Sequence, residues 1–179
     1  MRLYLCPTPA HRLGRLAAAL TSLVALASFT ASAPAQAQAV RTERNMSMAL
    51  ANQLAASAVS VCAGAGYNVS AAVVDRAGTL RALQRADNAG PHTVGAAQGK
   101  AFTSASAKNS TGAMLETAQK NPGAATLVDI PGFLLLGGGV PVRVGNEVIG
   151  AVGVGGAPGG HLDEQCAVAA IDQAKDLLK

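Results

Sequence analysis

Two histidines stand where predicted helices begin, and their imidazoles are the chain's best candidates for ligand chemistry. His92 follows the loop Asp87–Pro91, and His161 follows a glycine-rich loop. An imidazole at a helix start can present an exposed nitrogen to a metal ion. The simpler alternatives are a solvated histidine at His92 and a helix-capping or solvated histidine at His161. We take His92 as the stronger candidate for a metal ligand.

Other polar patterns near His161 indicate less specific chemistry. The start of a helix at His161 could bind an anion such as a carboxylate through its free N–H groups. Asp163 and Glu164 form an acidic pair, but the helix dipole alone favours acids in a first turn. The glycines of 150–160 do not match a dinucleotide-binding pattern, because Pro158 occupies the position of the third glycine. No nucleophile motif and no zinc-ligand spacing is present.

The hydrophobic pattern predicts nine elements in the order α-β-β-α-α-β-β-β-α. Helices are expected over 42–63, 92–107 and 111–119 and from about 161 onward, and strands over 68–74, 79–85, 133–136, 141–144 and 147–154. Short turns join most of them, which favours an α+β fold over a doubly wound parallel fold. We therefore expect a single antiparallel sheet flanked by helices.

The first 39 residues have the pattern of a signal peptide. Three arginines, Arg2, Arg12 and Arg15, precede an uncharged apolar run over 16–30. That run is shorter than the roughly 20 residues a membrane-spanning helix needs. Small residues then offer cleavage sites near Ala37 or Ala39. We expect residues 40–179 to be one domain that is periplasmic or secreted, with no membrane anchor after cleavage.

The overall positive charge belongs largely to this leader. The chain has 14 Lys and Arg against 10 Asp and Glu and a pI of about 9.3. Without the leader the balance is 11 against 10. No basic stripe with interleaved aromatic residues is present, so nucleic acid is not expected as a partner.

Two cysteines, Cys62 and Cys166, follow the leader, and both lie on predicted helices. They are either small buried apolar residues or a disulfide, which persists in an oxidising compartment. A disulfide requires Cα atoms within about 7 Å of each other. The sequence leaves both alternatives open.

The segment from Pro131 to Gly160 resembles the signature of the GlcG/HbpS family of haem-binding proteins. The matching strings are GGVP at 138–141, NEVIGAVGVGGAP at 146–158 and DEQCA at 163–167, with AAVVD at 71–75 and GKAFT at 99–103 upstream. Together they extend over nearly the whole chain after the leader.

This resemblance implies haem as the cofactor, a profilin-like or PAS-like sandwich and a homo-oligomer. It makes His92 the expected axial ligand of the haem iron. Thr93 is an alternative oxygen ligand, and His161 a further candidate at the site. Arg85 and Lys100 are expected to pair with haem propionates, because cation–carboxylate hydrogen bonds are strong. The simpler alternative for these two cations is exposure to solvent.

Our leading interpretation is an exported haem-binding protein for sequestration, carriage or sensing; a binding protein is preferred over an enzyme, but the enzyme class stays open. The first rival is an enzyme of oxidative metabolism that binds a small carboxylate at the helix-start glycine loop. The second is a structural or interaction subunit without a ligand. The scarcity of aromatic residues counts against haem, because most cofactor pockets have apolar and aromatic walls. Only Tyr67, Phe102 and Phe133 follow the leader.

Overall fold

The structure, a computed structural model, describes residues 39–179. Residues 42–179 form one compact unit. The predicted signal peptide falls almost entirely on residues 1–38, which lie outside the described residues. Within residues 39–179, no helix is both long enough and apolar enough to cross a membrane.

One antiparallel sheet of four strands forms the centre of the fold. Its strands are β1 (Ser70–Asp75), β2 (Leu80–Arg85), β3 (Gly139–Val144) and β4 (Glu147–Gly155), in the spatial order β2-β1-β4-β3. Two hairpins, β1–β2 and β3–β4, meet along the β1–β4 ladder. This arrangement confirms the predicted α+β fold with a single antiparallel sheet.

Helices cover both faces of the sheet. They are α1 (Met48–Gly64), α2 (His92–Ala107), α3 (Thr111–Lys120) and α4 (Gly160–Gln173), with short 3-10 helices at Pro122–Asp129 and Lys175–Leu177. Helices α1 and α4 pack on one face, and α2 packs on the other. The connection from β2 to β3 contains α2 and α3, so it carries the chain across the sheet and into the second hairpin.

The alternation of side chains along β1 divides the core into two layers. Ala71 and Val73 face α1 and α4, whereas Ala72 and Val74 face α2. Successive residues of a strand point to opposite faces, so the middle of a strand covered on both sides must be apolar. Every residue of β1 is buried. The side chains against α2 are mostly alanine, which lets that helix lie very close to the sheet.

Gly153 marks the closest approach of α2 to the sheet and gives a first prediction. A Cβ at this position would lie 2.5 Å from the backbone nitrogen of Ala101 and even closer to the carbonyl oxygen of Ala97. Gly153→Ala should therefore lower the free energy of unfolding by about 1–3 kcal/mol, because the helix must move. Urea unfolding of the purified protein measures this change.

The matched control for Gly153 is another glycine-to-alanine change in the same layer. Gly95 lies within α2, and a Cβ there would meet nothing within 4 Å. Gly95→Ala should raise the free energy of unfolding by about 0.5–1 kcal/mol, because glycine is unfavourable inside a helix. Equal stability of the Gly153→Ala variant and the parent would contradict the close packing of α2.

The predicted strand over residues 133–136 is wrong. This segment is irregular, and two of its backbone groups bond to helix side chains instead of a neighbouring strand. The Leu134 N–H donates to Thr103 Oγ1 at 2.7 Å, and the Leu136 carbonyl accepts from Thr111 Oγ1 at 2.8 Å. Apolar periodicity could not reveal these side-chain partners.

Helix α1 also begins later than predicted. Ser47 caps it by accepting a hydrogen bond from the Leu50 N–H at 3.2 Å. The residues before Ser47 have no regular secondary structure, and the Met46 N–H donates to the Ile149 carbonyl at 3.1 Å. Residues 42–47 of the predicted helix therefore lie outside α1, and Met46 among them is bonded to β4.

Cys62 and Cys166 form a disulfide, which resolves the two alternatives left open by the sequence. Their Cα atoms are 5.5 Å apart, within the usual range for a bridge. Both residues are buried. The bond joins the end of α1 to the first half of α4 on one face of the sheet.

Candidate functional site

His92 is the first residue of α2 and is exposed to solvent. Pro91 precedes it with helical backbone angles, φ −62° and ψ −30°, so the turn into the helix is already formed there. The imidazole lies against Gly90, where a Cβ would be 2.7 Å from the ring. A larger residue at position 90 would displace the ring, so glycine leaves space for this placement.

Thr93, the next residue, is buried and anchors the first turn of α2. Its Oγ1 donates to the Gly90 carbonyl at 2.6 Å and is 2.7 Å from Ser70 Oγ on β1. Only 1% of the residue is exposed. The hydroxyl is therefore bonded within the protein, and its role here is to hold His92 in place relative to the sheet.

Arg85 lies at the same end of the sheet as His92. It is opposite Ser70 in the β1–β2 register, and its Nη2 donates to the carbonyl of Ala89 in the loop before α2. The residue is exposed. Its guanidinium has further N–H groups beyond this bond, so a positive charge lies beside the loop that carries His92.

Lys100 is buried in the middle of α2 and forms an ion pair with Asp163 of α4. Its Nζ is 2.8 Å from Asp163 Oδ2 and donates to the Val154 carbonyl, also at 2.8 Å. Asp163 Oδ1 accepts from the Ala157 N–H at 2.9 Å. The two side chains are only 1% and 4% exposed. Both hydrogen-bond partners of the ammonium group therefore lie inside the protein, and the group does not face an external propionate.

Glycines surround this buried pair because the chain passes very close to it. A Cβ at Gly138 would lie 2.9 Å from Lys100 Nζ and 2.8 Å from Asp163 Cβ. Gly138 also has φ +124°, a conformation that favours glycine. Thr111 fixes the following residue, since its Oγ1 accepts from the Gly139 N–H at 2.8 Å. The GGGVP turn therefore encloses the ion pair.

His161 lies in a different place, at the edge of a groove between α3 and α4 with a volume of about 760 Å³. The apolar part of its lining includes Leu136 and Val168, which are 44% and 42% exposed. Three carboxylates also line it: Glu116, Glu164 and Asp172. No Lys or Arg is among the lining residues.

The structure separates the five predicted site residues into two sets. His92, Thr93 and Arg85 lie together at one end of the sheet. Lys100 is buried and pairs with Asp163, and His161 lies two residues before Asp163 in the first turn of α4. The groove contains His161 and none of the other four. Within residues 39–179, no cluster of three or more His, Cys, Asp or Glu side chains could hold a metal ion.

Sequence reasoning missed the role of Asp163. An acidic residue in the first turn of a helix is already explained by the helix dipole, so Asp163 did not suggest a further role. Its partner, Lys100, is 63 residues away in the sequence. No local pattern joins the two positions. The only sequence signal was the presence of both Lys100 and Asp163 within the strings that resemble the GlcG/HbpS family.

Comparison with solved structures shows the same architecture in related proteins. The crystal structure of a double mutant of Streptomyces reticuli HbpS has a TM-score of 0.71 and 37% sequence identity, covering 80% of this chain and 97% of that one. The crystal structure of a PduOC–haem complex has a TM-score of 0.64 at 24% identity, covering 72% of this chain and 94% of that one. The second likeness concerns the fold alone.

Sequence comparison also relates this chain to GlcG and HbpS-like proteins. Protein GlcG of Escherichia coli K12 is 36% identical over 115 residues, which are 64% of this chain and 84% of GlcG. The family described as haem degrading protein HbpS-like matches residues 46–172, which include both hairpins, all of α2 and α3 and nearly all of α4. This chain therefore belongs to the HbpS-like family.

Proposed function

We propose that this protein binds haem and that His92 supplies the nitrogen ligand to the iron. The observation that carries the proposal is an exposed imidazole on a turn that is fixed by buried hydrogen bonds. Thr93 bonds to both Gly90 and Ser70 beside that imidazole. A ligand held in place before binding loses little conformational freedom when it binds.

The charges around the two histidines favour His92 over His161 as the haem ligand. Haem carries two propionates, which are anionic at neutral pH. The Arg85 guanidinium lies beside the His92 loop and can donate hydrogen bonds to a carboxylate. Around His161 the charged side chains of the groove are all acidic, and like charges would oppose a propionate there.

The family relationship supports the choice of haem as the ligand. The family's description is that of a haem degrading protein, and a protein of the same fold forms a complex with haem. The residues present fit this group, since an exposed imidazole is a common ligand of haem iron. Bound haem would supply an iron centre, and this chain would supply its position and its contacts.

We further propose that the protein is exported and that it acts in haem sequestration, carriage or sensing. The arginines and the apolar run of residues 1–39 support export. His92 stands on an open surface, so a haem bound there would leave apolar area exposed in a single chain. A second copy of the chain would cover that area, which is the basis for proposing a homo-oligomer.

The experiment is a haemin titration of residues 40–179, followed by the Soret band. The parent should show a saturable shift at micromolar haemin. His92→Ala should abolish or move the band, because it removes the nitrogen ligand. The His161→Ala variant is the matched control, since it removes the other exposed histidine, and its spectrum should stay close to that of the parent.

Circular dichroism and the urea midpoint of each variant show whether the fold is retained, and an exposed substitution usually costs little stability. Absence of any saturable Soret shift in the folded parent would overturn haem binding. The reverse result for the two variants would assign the iron to His161 instead. Parent-like spectra for both variants would exclude each histidine as the ligand.

A further inference from the structure

We infer that the groove between α3 and α4 is a second ligand site, separate from the His92 end of the sheet, and that it binds apolar organic cations. This inference goes beyond the proposed haem function and does not depend on it. Its basis is the combination of a cavity, partly exposed apolar walls and two lining carboxylates, Glu164 and Asp172, that form no ion pair with a described Lys or Arg.

The size and walls of the groove suit a small organic molecule. Its volume of about 760 Å³ lies within the roughly 300–1,000 Å³ typical of small-molecule sites. Leu136 forms part of one side, and Val168 of α4 forms part of the other. Both side chains are more than two-fifths exposed, so a ligand that covers them gains hydrophobic stabilisation.

The charged residues of the groove determine whether it favours a cationic or an anionic ligand. Glu164 extends across the groove toward α3, where a Cβ on Gly112 would lie 2.5 Å from its Oε2. Glu116 is paired with Lys120 at 3.2 Å. Glu164 and Asp172 form no ion pair with any described Lys or Arg side chain. Two carboxylates are therefore left to attract a cation.

The position of Glu164 is set by the buried ion pair described above. Asp163, its neighbour, is held by Lys100 and by the Ala157 N–H. A Cβ on Gly160 would lie about 3 Å from the backbone of Gly137, so these two lining segments approach each other closely. The first turn of α4, which carries Glu164, is thus held in place before any ligand arrives.

The test compares two apolar probes of similar size and opposite charge by isothermal titration calorimetry. The probes are berberine, a cation, and 1-anilinonaphthalene-8-sulfonate, an anion. At low salt the parent should bind berberine about tenfold more tightly than the sulfonate. The two carboxylates attract the cation and repel the anion within a groove that solvent screens only in part. The preference should shrink in about 1 M NaCl, where the Debye length is only about 3 Å.

Two double variants with the same change in net charge test whether the preference for the cation arises in the groove. Glu164→Gln/Asp172→Asn should weaken berberine binding about tenfold. Asp87→Asn/Asp129→Asn makes the same change in net charge at two residues outside the groove lining, and it should leave berberine binding unchanged. The half-buried Ala169 lines the groove, and Ala169→Phe should block both probes by filling the space, with circular dichroism confirming the fold.

Equal affinity for the two probes, or equal weakening by the two charge-matched variants, would overturn the inference. So would unchanged berberine binding in a folded Ala169→Phe variant. The His92→Ala variant should bind berberine like the parent, which separates this site from the proposed haem site. Failure of haemin to bind would leave the berberine result intact, and failure of berberine would leave the haemin titration intact.

Discussion

Replacing Lys100 with methionine should lower the free energy of unfolding by about 3–5 kcal/mol. Asp163 would then lose its ion-pair partner in a site that is almost closed to water, with only the Ala157 N–H as a hydrogen-bond donor. A buried charge without its partner is strongly destabilising. Equilibrium unfolding in urea gives the value, and the m-value checks that both proteins unfold in one step.

The double variant Lys100→Met/Asp163→Asn separates the lost ion pair from simple loss of packing. Asparagine can still accept the Ala157 N–H through its Oδ1 and carries no charge. We expect the double variant to recover at least half of the stability lost in Lys100→Met, because no unpaired charge remains. A double variant as unstable as the single one would contradict this, and would mean that the buried pair itself holds α2 against α4.

Removing the disulfide should have an effect of similar size. Cys62 and Cys166 are 104 residues apart in sequence, and the chain-entropy model gives about 4–5 kcal/mol for a loop of this length. Cys62→Ala/Cys166→Ala should lose about that much of its free energy of unfolding. The reduced parent should unfold at the same urea concentration as the variant, because both lack the same crosslink.

A thiol assay provides the direct check on the bridge. Residues 40–179 contain two cysteines, so the denatured, unreduced protein should show no free thiol. Two reactive thiols in protein recovered from an oxidising compartment would contradict the bridge. Dithiothreitol should leave the stability of the double alanine variant unchanged, which controls for effects of the reductant on the rest of the fold.

The disulfide and the Lys100–Asp163 ion pair both involve α4, so they also determine the position of the groove wall that α4 forms. The disulfide joins α4 to α1 on one face of the sheet. The Lys100–Asp163 pair joins the first turn of α4 to α2, which packs on the other face. Since α4 carries His161 and Glu164, the wall of the groove is tied to both layers of the fold.

Much of the fold was predictable from the sequence, because local signals agreed with the tertiary structure. The predicted bounds of α2 match the observed His92–Ala107. Pro91 sets the backbone angle at its start, and the apolar alanines continue along its buried face. The two hairpins were also found, since Gly78 and Gly145 mark turns with positive φ.

The features that sequence reasoning missed depend on contacts between distant residues. Residues 133–136 have the apolar character of a strand, but their hydrogen-bond partners are Thr103 and Thr111 on helices. The burial of Lys100 was equally hidden, because a lysine on a helix is usually exposed. Only the fold shows that Asp163 lies opposite it.

In the proposed haem site, the sequence predicts the candidate ligand, and the structure shows which groups surround it. His92 was recognised from its place after the 87–91 loop, and the structure shows it exposed with Arg85 nearby. Thr93 and Lys100 turn out to be buried and bonded within the protein. In the proposed haem site these two residues would therefore not contact the ligand, and they fix the elements that carry the exposed groups.

Resonance Raman spectroscopy of the ferrous haem complex is the most direct test of the central claim that His92 binds the iron. The parent and the His161→Ala variant should both show the iron–imidazole stretching band, and His92→Ala should lack it. Persistence of the band in His92→Ala, or its loss in His161→Ala, would contradict the assignment of His92 as the ligand.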